Sequence, residues 1–163
     1  MIDIVAYKPE YQSYWEKLNR DWIKVFFEIE PFDEYVLQNP EEAILKDGGA
    51  ILIALFNGEV AGTVGLRKLS DQTFEFTKMT VAEDFRRKGI AEAMCYASFK
   101  KAKELGAISV ILYSNRLQAA AIKLYEKIGF KHLPVETTVY KRADVKMEII
   151  LDEVLNKQLN TTH

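Results

Sequence analysis

The sequence predicts an α/β domain whose sheet is mixed and mainly antiparallel, with helices on its flanks. Three observations carry this expectation. The strand patterns AILIALF (50–56) and EVAGTVGLRKL (59–69) face each other across Asn57-Gly58, a pair suited to the left-handed backbone of a tight hairpin turn. The stretch FEFTKMTVAEDFRRKGIA, from Phe74 to Ala91, runs from a strand pattern through a basic, glycine-containing turn into a helix. ISVILYS (108–114) is a nearly continuous apolar run following a helix, which suits a strand covered on both faces and paired in parallel.

A chain of 163 residues suits a single domain (1–163) able to bury roughly two-thirds of its unfolded surface. The chain divides into an N-terminal strand and helices (1–49), a central core (50–130) and C-terminal strands with a tail (131–163). Hydrophobic residues at 48% and charged residues at 28% describe an ordinary globular composition, not a disordered or fibrous one. A formal charge of −2 gives no support for general nucleic-acid binding, so the basic run at 86–88 needs a local anion. One cysteine excludes an internal disulfide. Neither a signal-peptide pattern nor an apolar run long enough to cross a membrane is present, which predicts a cytoplasmic protein.

IDIVAY opens the chain as a short strand, and Pro9 suits the first turn of the helix predicted over EYQSYWEKLNRDWIKVFFEI (10–29). Pro31 breaks that helix before a second helical piece from Asp33 to Lys46, in which Asn39 is an N-cap candidate ahead of Pro40. Asp47-Gly48-Gly49 ends the helical region and the hairpin follows. Ser70-Asp71-Gln72 then turns the chain into the central strand, the third of three consecutive antiparallel strands. The helix opened near Gly89 runs to Gly106, and LQAAAIKLYEKI (117–128) is a further helix closed by Gly129. KRADVKMEIIL (141–151) alternates as a final strand, available for a homodimer through sheet contact. DEVLNKQLNTTH reads as a polar tail that frays.

A helix starting near Gly89 points unpaired N–H groups and its positive dipole end at the basic turn, where phosphate is welcome. Arg86-x-x-Gly89-x-Ala91 resembles the Arg/Gln-x-x-Gly-x-Gly/Ala signature of the GCN5-related N-acetyltransferases. Leu124-Tyr125-Glu126-Lys127-Ile128-Gly129-Phe130 resembles the family's second signature, in the right order and spacing. The resemblance covers about 50–130. It implies the N-acetyltransferase fold and transfer of an acetyl group from acetyl-CoA to a primary amine, by direct attack in a ternary complex.

In that reading Arg86, Arg87, Lys88, Gly89, Ile90 and Ala91 hold the pyrophosphate, Ala91 standing where glycine is commoner. The family's central strand carries a bulge whose free backbone groups pair with the pantetheine arm, and the matching residues are Met79, Thr80 and Val81. Simple alternation instead places Glu75, Thr77, Met79 and Val81 on one face and Phe74, Phe76, Lys78 and Thr80 on the other. The second wall comes from Ser114-Asn115 and from Gln118, Ala121 and Tyr125. Many relatives have Asn seven residues before the tyrosine, so whether Asn115 or Gln118 supplies the amide is open. The small residues Ala119, Ala120 and Ala121 either leave room for the cofactor or serve helix propensity.

Glu75 is the family-matched proton acceptor for the attacking amine, or an edge-facing charge. Tyr125 is the family-matched acid for the leaving thiolate, or a ring packed beside the cofactor. Glu30 is either a substrate contact or a solvated loop carboxylate, and the aromatic and acidic residues of 22–34 hint at a cationic acceptor. Cys95 sits in an apolar helix pattern without a partnered histidine and reads as a buried structural thiol. His132 and His163 have no metal-ligand spacing, so no metal is expected. The competing functional class is a CoA-binding sensor or interaction module without turnover; an oxygen-directed acyltransferase is a third.

Overall fold

The computed structural model describes residues 1–136 and 138–161, and in it one seven-stranded sheet separates two sets of helices. The strands are β1 (Ile2–Ala6), β2 (Ala50–Phe56), β3 (Glu59–Lys68), β4 (Thr73–Val81), β5 (Ser109–Ser114), β6 (Lys131–Leu133) and β7 (Val145–Ile150). The helices are α1 (Gln12–Ile23), α2 (Pro31–Gln38), α3 (Ile90–Glu104), α4 (Ala119–Ile128) and α5 (Leu151–Thr161). Spatial order is β1-β2-β3-β4-β5-β7-β6. Every neighbouring pair is antiparallel except β4 with β5, which a helical crossover makes parallel.

The sheet is apolar on both faces because each is covered. On one, Trp15 of α1 and Val36 and Leu37 of α2 pack with Ile51 and Ile53 of β2. On the other, Met94 and Phe99 of α3 pack with Val64, Phe74, Phe76, Val110 and Met147. The hairpin turn forms as expected, Asn57 and Gly58 taking φ of 50° and 86°.

Several boundaries differ from the sequence reading. Helix α1 stops at Ile23 instead of reaching residue 29. Val25 and Phe26 beyond it are exposed, and Glu30 must be extended (φ −83°, ψ 161°) because it precedes Pro31. Glu30 and Asp33 form a capping box that starts α2 there. Asn39 is not an N-cap: it closes α2, its amide donates back to the Tyr35 carbonyl (3.2 Å), and Pro40 heads the wide helical turn Glu41–Leu45.

The last strand begins at Val145, not Lys141, because residues 141 and 142 are drawn to Glu30. It is not an edge: over 146–148 it is paired with β5 on one side and β6 on the other. The sheet contact expected of the last strand therefore has no free edge there. The segment expected to fray is α5, whose Leu151 and Val154 are buried against the core of the α3 face; Thr162 and His163 lie outside the described residues.

Candidate active site

The site begins where β4 and β5 part. Their parallel pairing runs only from Thr73 with Ser109 to Glu75 with Ile111, so 76–81 turn one backbone edge toward an opening instead of toward a strand. The cause lies on the other side of β4. Between Thr63 with Thr80 and Gly65 with Thr77 the register shifts, so Lys78 and Met79 together oppose Val64, and Lys78 has φ of +54°. This bulge re-phases the strand and corrects the simple alternation. Met79 and Val81 join Phe74 and Phe76 on the α3 face, while Lys78 meets Asp33 of α2.

Two clefts meet at this opening. One runs past Met79, Thr80 and Val81 to Arg86, Arg87, Gly89, Ile90 and Ala91, with Ala120, Ala121 and Tyr125 opposite. The basic turn opens toward α3: Gly89 is its N-cap with φ of +79°, and no atom lies within 4 Å of where its Cβ would stand. Exposed arginines, free first-turn N–H groups and this open glycine suit a diphosphate. Arg86 also donates from Nε to the Val81 carbonyl at 3.3 Å. Lys88 is not brought in; its ammonium lies over the Phe56 ring, 5.2 Å from the centroid.

The other cleft is lined by Glu75, Thr77, Lys78, Asn115, Gln118, Tyr140 and Arg142 among others. Trp22, Met79 and Tyr125 border both. Asn115 and Gln118 therefore sit together beside the second cleft and not along the first. Asn115 is occupied structurally, its Nδ2 donating to the Arg142 carbonyl (2.7 Å) and its Oδ1 accepting from the Leu117 N–H (2.9 Å). Gln118 Oε1 accepts from the Ser114 hydroxyl at 2.7 Å, leaving its Nε2 as the amide donor without a partner among the described residues.

Glu75 is 1% exposed, and its Oε1 accepts from Arg67 at 2.9 Å. Tyr140 lies beside it, its hydroxyl 3.3 Å from Thr77 Oγ1; burial first, and then the Glu75 charge, push its pKa well up. Tyr125 is buried with its ring edge-on to Phe76 and Phe130, and burial likewise raises its phenol far above the ordinary value. Cys95 is buried, its thiol pushed up to about 12 by burial and by the Glu92 charge, as suits an inert thiol.

The acidic residues of the first helices face inward cations. Glu30 is no free substrate contact: it accepts from the backbone N–H groups of Lys141 and Arg142 and from the Arg142 guanidinium at 3.1 Å. Asp33 accepts from Lys78 (2.7 Å) and twice from Arg142 (2.6 and 2.9 Å), and Glu34 pairs with Arg20. The sequence hint of a cationic acceptor loses these carboxylates. Sequence reasoning also missed Trp22, Thr77, Lys78, Tyr140 and Arg142. Lys78 alone carried a signal, as a charge in a strand whose neighbours are apolar.

The fold with this parted strand pair is the N-acetyltransferase fold. Residues 11–130 match the acetyltransferase (GNAT) family, and the chain belongs to that family. It is 32% identical over 95 residues to a probable N-acetyltransferase camello of Xenopus tropicalis, an alignment covering 57% of this chain and 43% of the relative, so the chain spans less than half of that protein. An acetyltransferase structure from Staphylococcus aureus superposes with a TM-score of 0.82 at 22% identity, covering 93% of this chain and 99% of that one. A spermidine N-acetyltransferase from Vibrio cholerae, solved with CoA and spermine, gives 0.73 at 22%, covering 95% and 98%.

Proposed function

We propose that the chain transfers an acetyl group from acetyl-CoA to a primary amine, of a small molecule or of a protein, by direct attack with both substrates bound. The single observation that carries this reading is the junction of the two clefts at Met79 and Tyr125. One cleft has an anion-binding helix start at its far end, and the other holds Glu75 and Tyr140, so a thioester and an amine entering from opposite sides meet there. Names of the relatives, and the CoA and spermine in the Vibrio cholerae structure, agree with such a pair of substrates.

In this reading Arg86, Arg87 and the N–H groups at Gly89, Ile90 and Ala91 bind the pyrophosphate. The free edge of Met79, Thr80 and Val81 orients the pantetheine arm against Ala121, and the Gln118 amide reaches toward it. Acetyl-CoA supplies the activated acetyl group.

The amine must lose a proton to attack. A lysine-like amine of pKa near 10.4 is neutral in only about one part in 2,500 at pH 7, a handicap of roughly 4.6 kcal/mol; an α-amine near 8 suffers about 1.4 kcal/mol. Glu75 takes that proton, directly or through water, and Tyr125 donates to the departing thiolate. Because Glu30, Asp33 and Glu34 are already paired, the acceptor is recognised at one reacting amine and not by an array of carboxylates.

Calorimetric titration with acetyl-CoA, followed by thiol release against a panel of amines and alcohols, tests the assignment. Binding together with amine-dependent release is expected. Binding without release for any acceptor makes the chain a sensor, and release only with alcohols makes it an oxygen-directed enzyme.

A further inference from the structure

Lys78 occupies the β4 bulge in a conformation its residue type does not favour. A φ of +54° is the left-handed region that glycine enters freely and a lysine does not, and the strand buries the side chain as well. Two buried polar supports converge on it. Its ammonium, with a side chain 4% exposed, donates to Asp33 Oδ1 at 2.7 Å, and that carboxylate is fully buried. Its carbonyl accepts from Thr63 Oγ1 at 3.0 Å, and the same hydroxyl accepts from Asn19 Nδ2 at 3.0 Å. Helix α2 and strand β3 thus each contribute a polar group to one residue, and α1 braces the second of them through Asn19. A bulge needing only a left-handed turn would be met by glycine, with no ion pair taken out of water.

We infer that Lys78, gripped by Asp33 on one side and by the Thr63–Asn19 chain on the other, is a positioning residue that fixes the β4 bulge and so places the free backbone edge of Met79–Val81 for acetyl-CoA. The inference rests on reading that cleft as the acetyl-CoA site. Arg142 donates to the same Asp33, so the wall of the acceptor cleft is fastened to the residue that sets the cofactor edge. Placement of the two substrates is therefore coupled through Asp33.

Three variants titrated calorimetrically with acetyl-CoA beside the parent test this. Lys78→Gly with Asp33→Asn keeps a backbone that permits the bulge and removes both charges of that pair together, leaving Arg142 paired with Glu30. Thr63→Val keeps the size of the side chain and removes the hydroxyl that bonds the Lys78 carbonyl and accepts from Asn19. Val154→Ala, in the core beneath α5, supplies a loss of melting temperature away from both clefts. Both bulge variants are expected to raise the acetyl-CoA Kd about tenfold, a 1.4 kcal/mol loss, while Val154→Ala leaves it at the parental value. Folded bulge variants with parental Kd, or an equal loss in Val154→Ala, overturn the inference. If the double variant does not fold, Thr63→Val decides alone. A parent that gives no heat with acetyl-CoA removes the reading of the cleft and this inference with it, whereas a binding parent with unaffected variants removes only this inference.

Discussion

Arg67 reaches across from β3 to donate from Nε to Glu75 Oε1 at 2.9 Å, with Nη2 in ion-pair contact with the same oxygen at 2.9 Å, so the carboxylate proposed to receive the amine proton is already fixed by a cation. The pair is directly opposed in the ladder and Arg67 in turn lies over the Phe32 ring at 4.9 Å. One oxygen is thereby held in place, and the carboxylate lines the acceptor cleft beside Tyr140. Glu75→Gln keeps the shape and removes the basicity. Turnover is expected to fall by about 10²-fold at neutral pH and to recover partly at high pH, where more of the amine is already neutral. A pH–rate profile that superposes on the parent's would reassign proton removal.

At the other end of the first cleft a backbone conformation sets the outcome. Gly89 has φ of +79°, and its missing Cβ would project into open space, so a larger residue strains the backbone without a clash inside the protein. Gly89→Val is expected to weaken acetyl-CoA binding by about 1–3 kcal/mol with the fold intact by circular dichroism. Arg86→Ala and Arg87→Ala are expected to lower affinity and flatten its dependence on salt, since both cations face a screened anion. Salt slopes equal to the parent's would reduce the turn to solvated surface.

What the sequence disclosed follows from how local each signal is. The Asn57-Gly58 hairpin, the strand at 74–81 and the helix opened at Gly89 are written in adjacent residues. So is α5, where Leu151, Val154 and Leu155 recur at helical spacing in a stretch expected instead as the strand's end and a fraying tail. The bulge is different. Alternation placed Lys78 with Phe74 and Phe76, and only the extra residue opposite Val64 turns it away from the α3 face. Its partner Asp33 lies 45 residues away, and Arg142 lies 109 residues beyond Asp33, separations over which charge patterning carries no register. The basic turn was legible, yet that Lys88 faces Phe56 while its neighbours line the cleft depends on backbone dihedrals that no residue type dictates.

The buried charges also set a pH dependence. Burial would raise the Asp33 carboxyl, but the Arg142 hydrogen bonds and the Lys78 charge outweigh it and hold the group at about 2. An unfolded aspartate titrates near 3.9, so this stabilisation is fully present above that value and is lost as pH falls through about 2. It is on the order of 2 kcal/mol. Urea unfolding at pH 7, 5 and 3 is expected to show Asp33→Asn well below the parent at the first two and closer to it at the third. A gap that stays constant across the series would mean that Asp33 acts through packing and not through charge.

Tyr125 stands where both clefts meet, with its ring held by Phe76 and Phe130 and its hydroxyl kept protonated by burial. A phenol whose pKa is pushed so high stays protonated at neutral pH, so its O–H is present as a hydrogen-bond donor. In the proposed mechanism it donates that proton as negative charge develops on the leaving sulfur. A hydrogen bond to an ion is worth about 1.5–3 kcal/mol. Tyr125→Phe leaves the edge-on ring contacts in place, removes only the donor, and is expected to cut turnover by about 10²-fold, near 2.7 kcal/mol, with acetyl-CoA affinity almost unchanged. A packing role makes the opposite demand, because the phenylalanine ring fills the same space and should then restore the parental rate. Single-turnover rates read beside calorimetric affinities separate the two. A parental rate in Tyr125→Phe, or affinity lost in proportion to activity, would leave departure of the thiolate to the backbone N–H groups at the bulge.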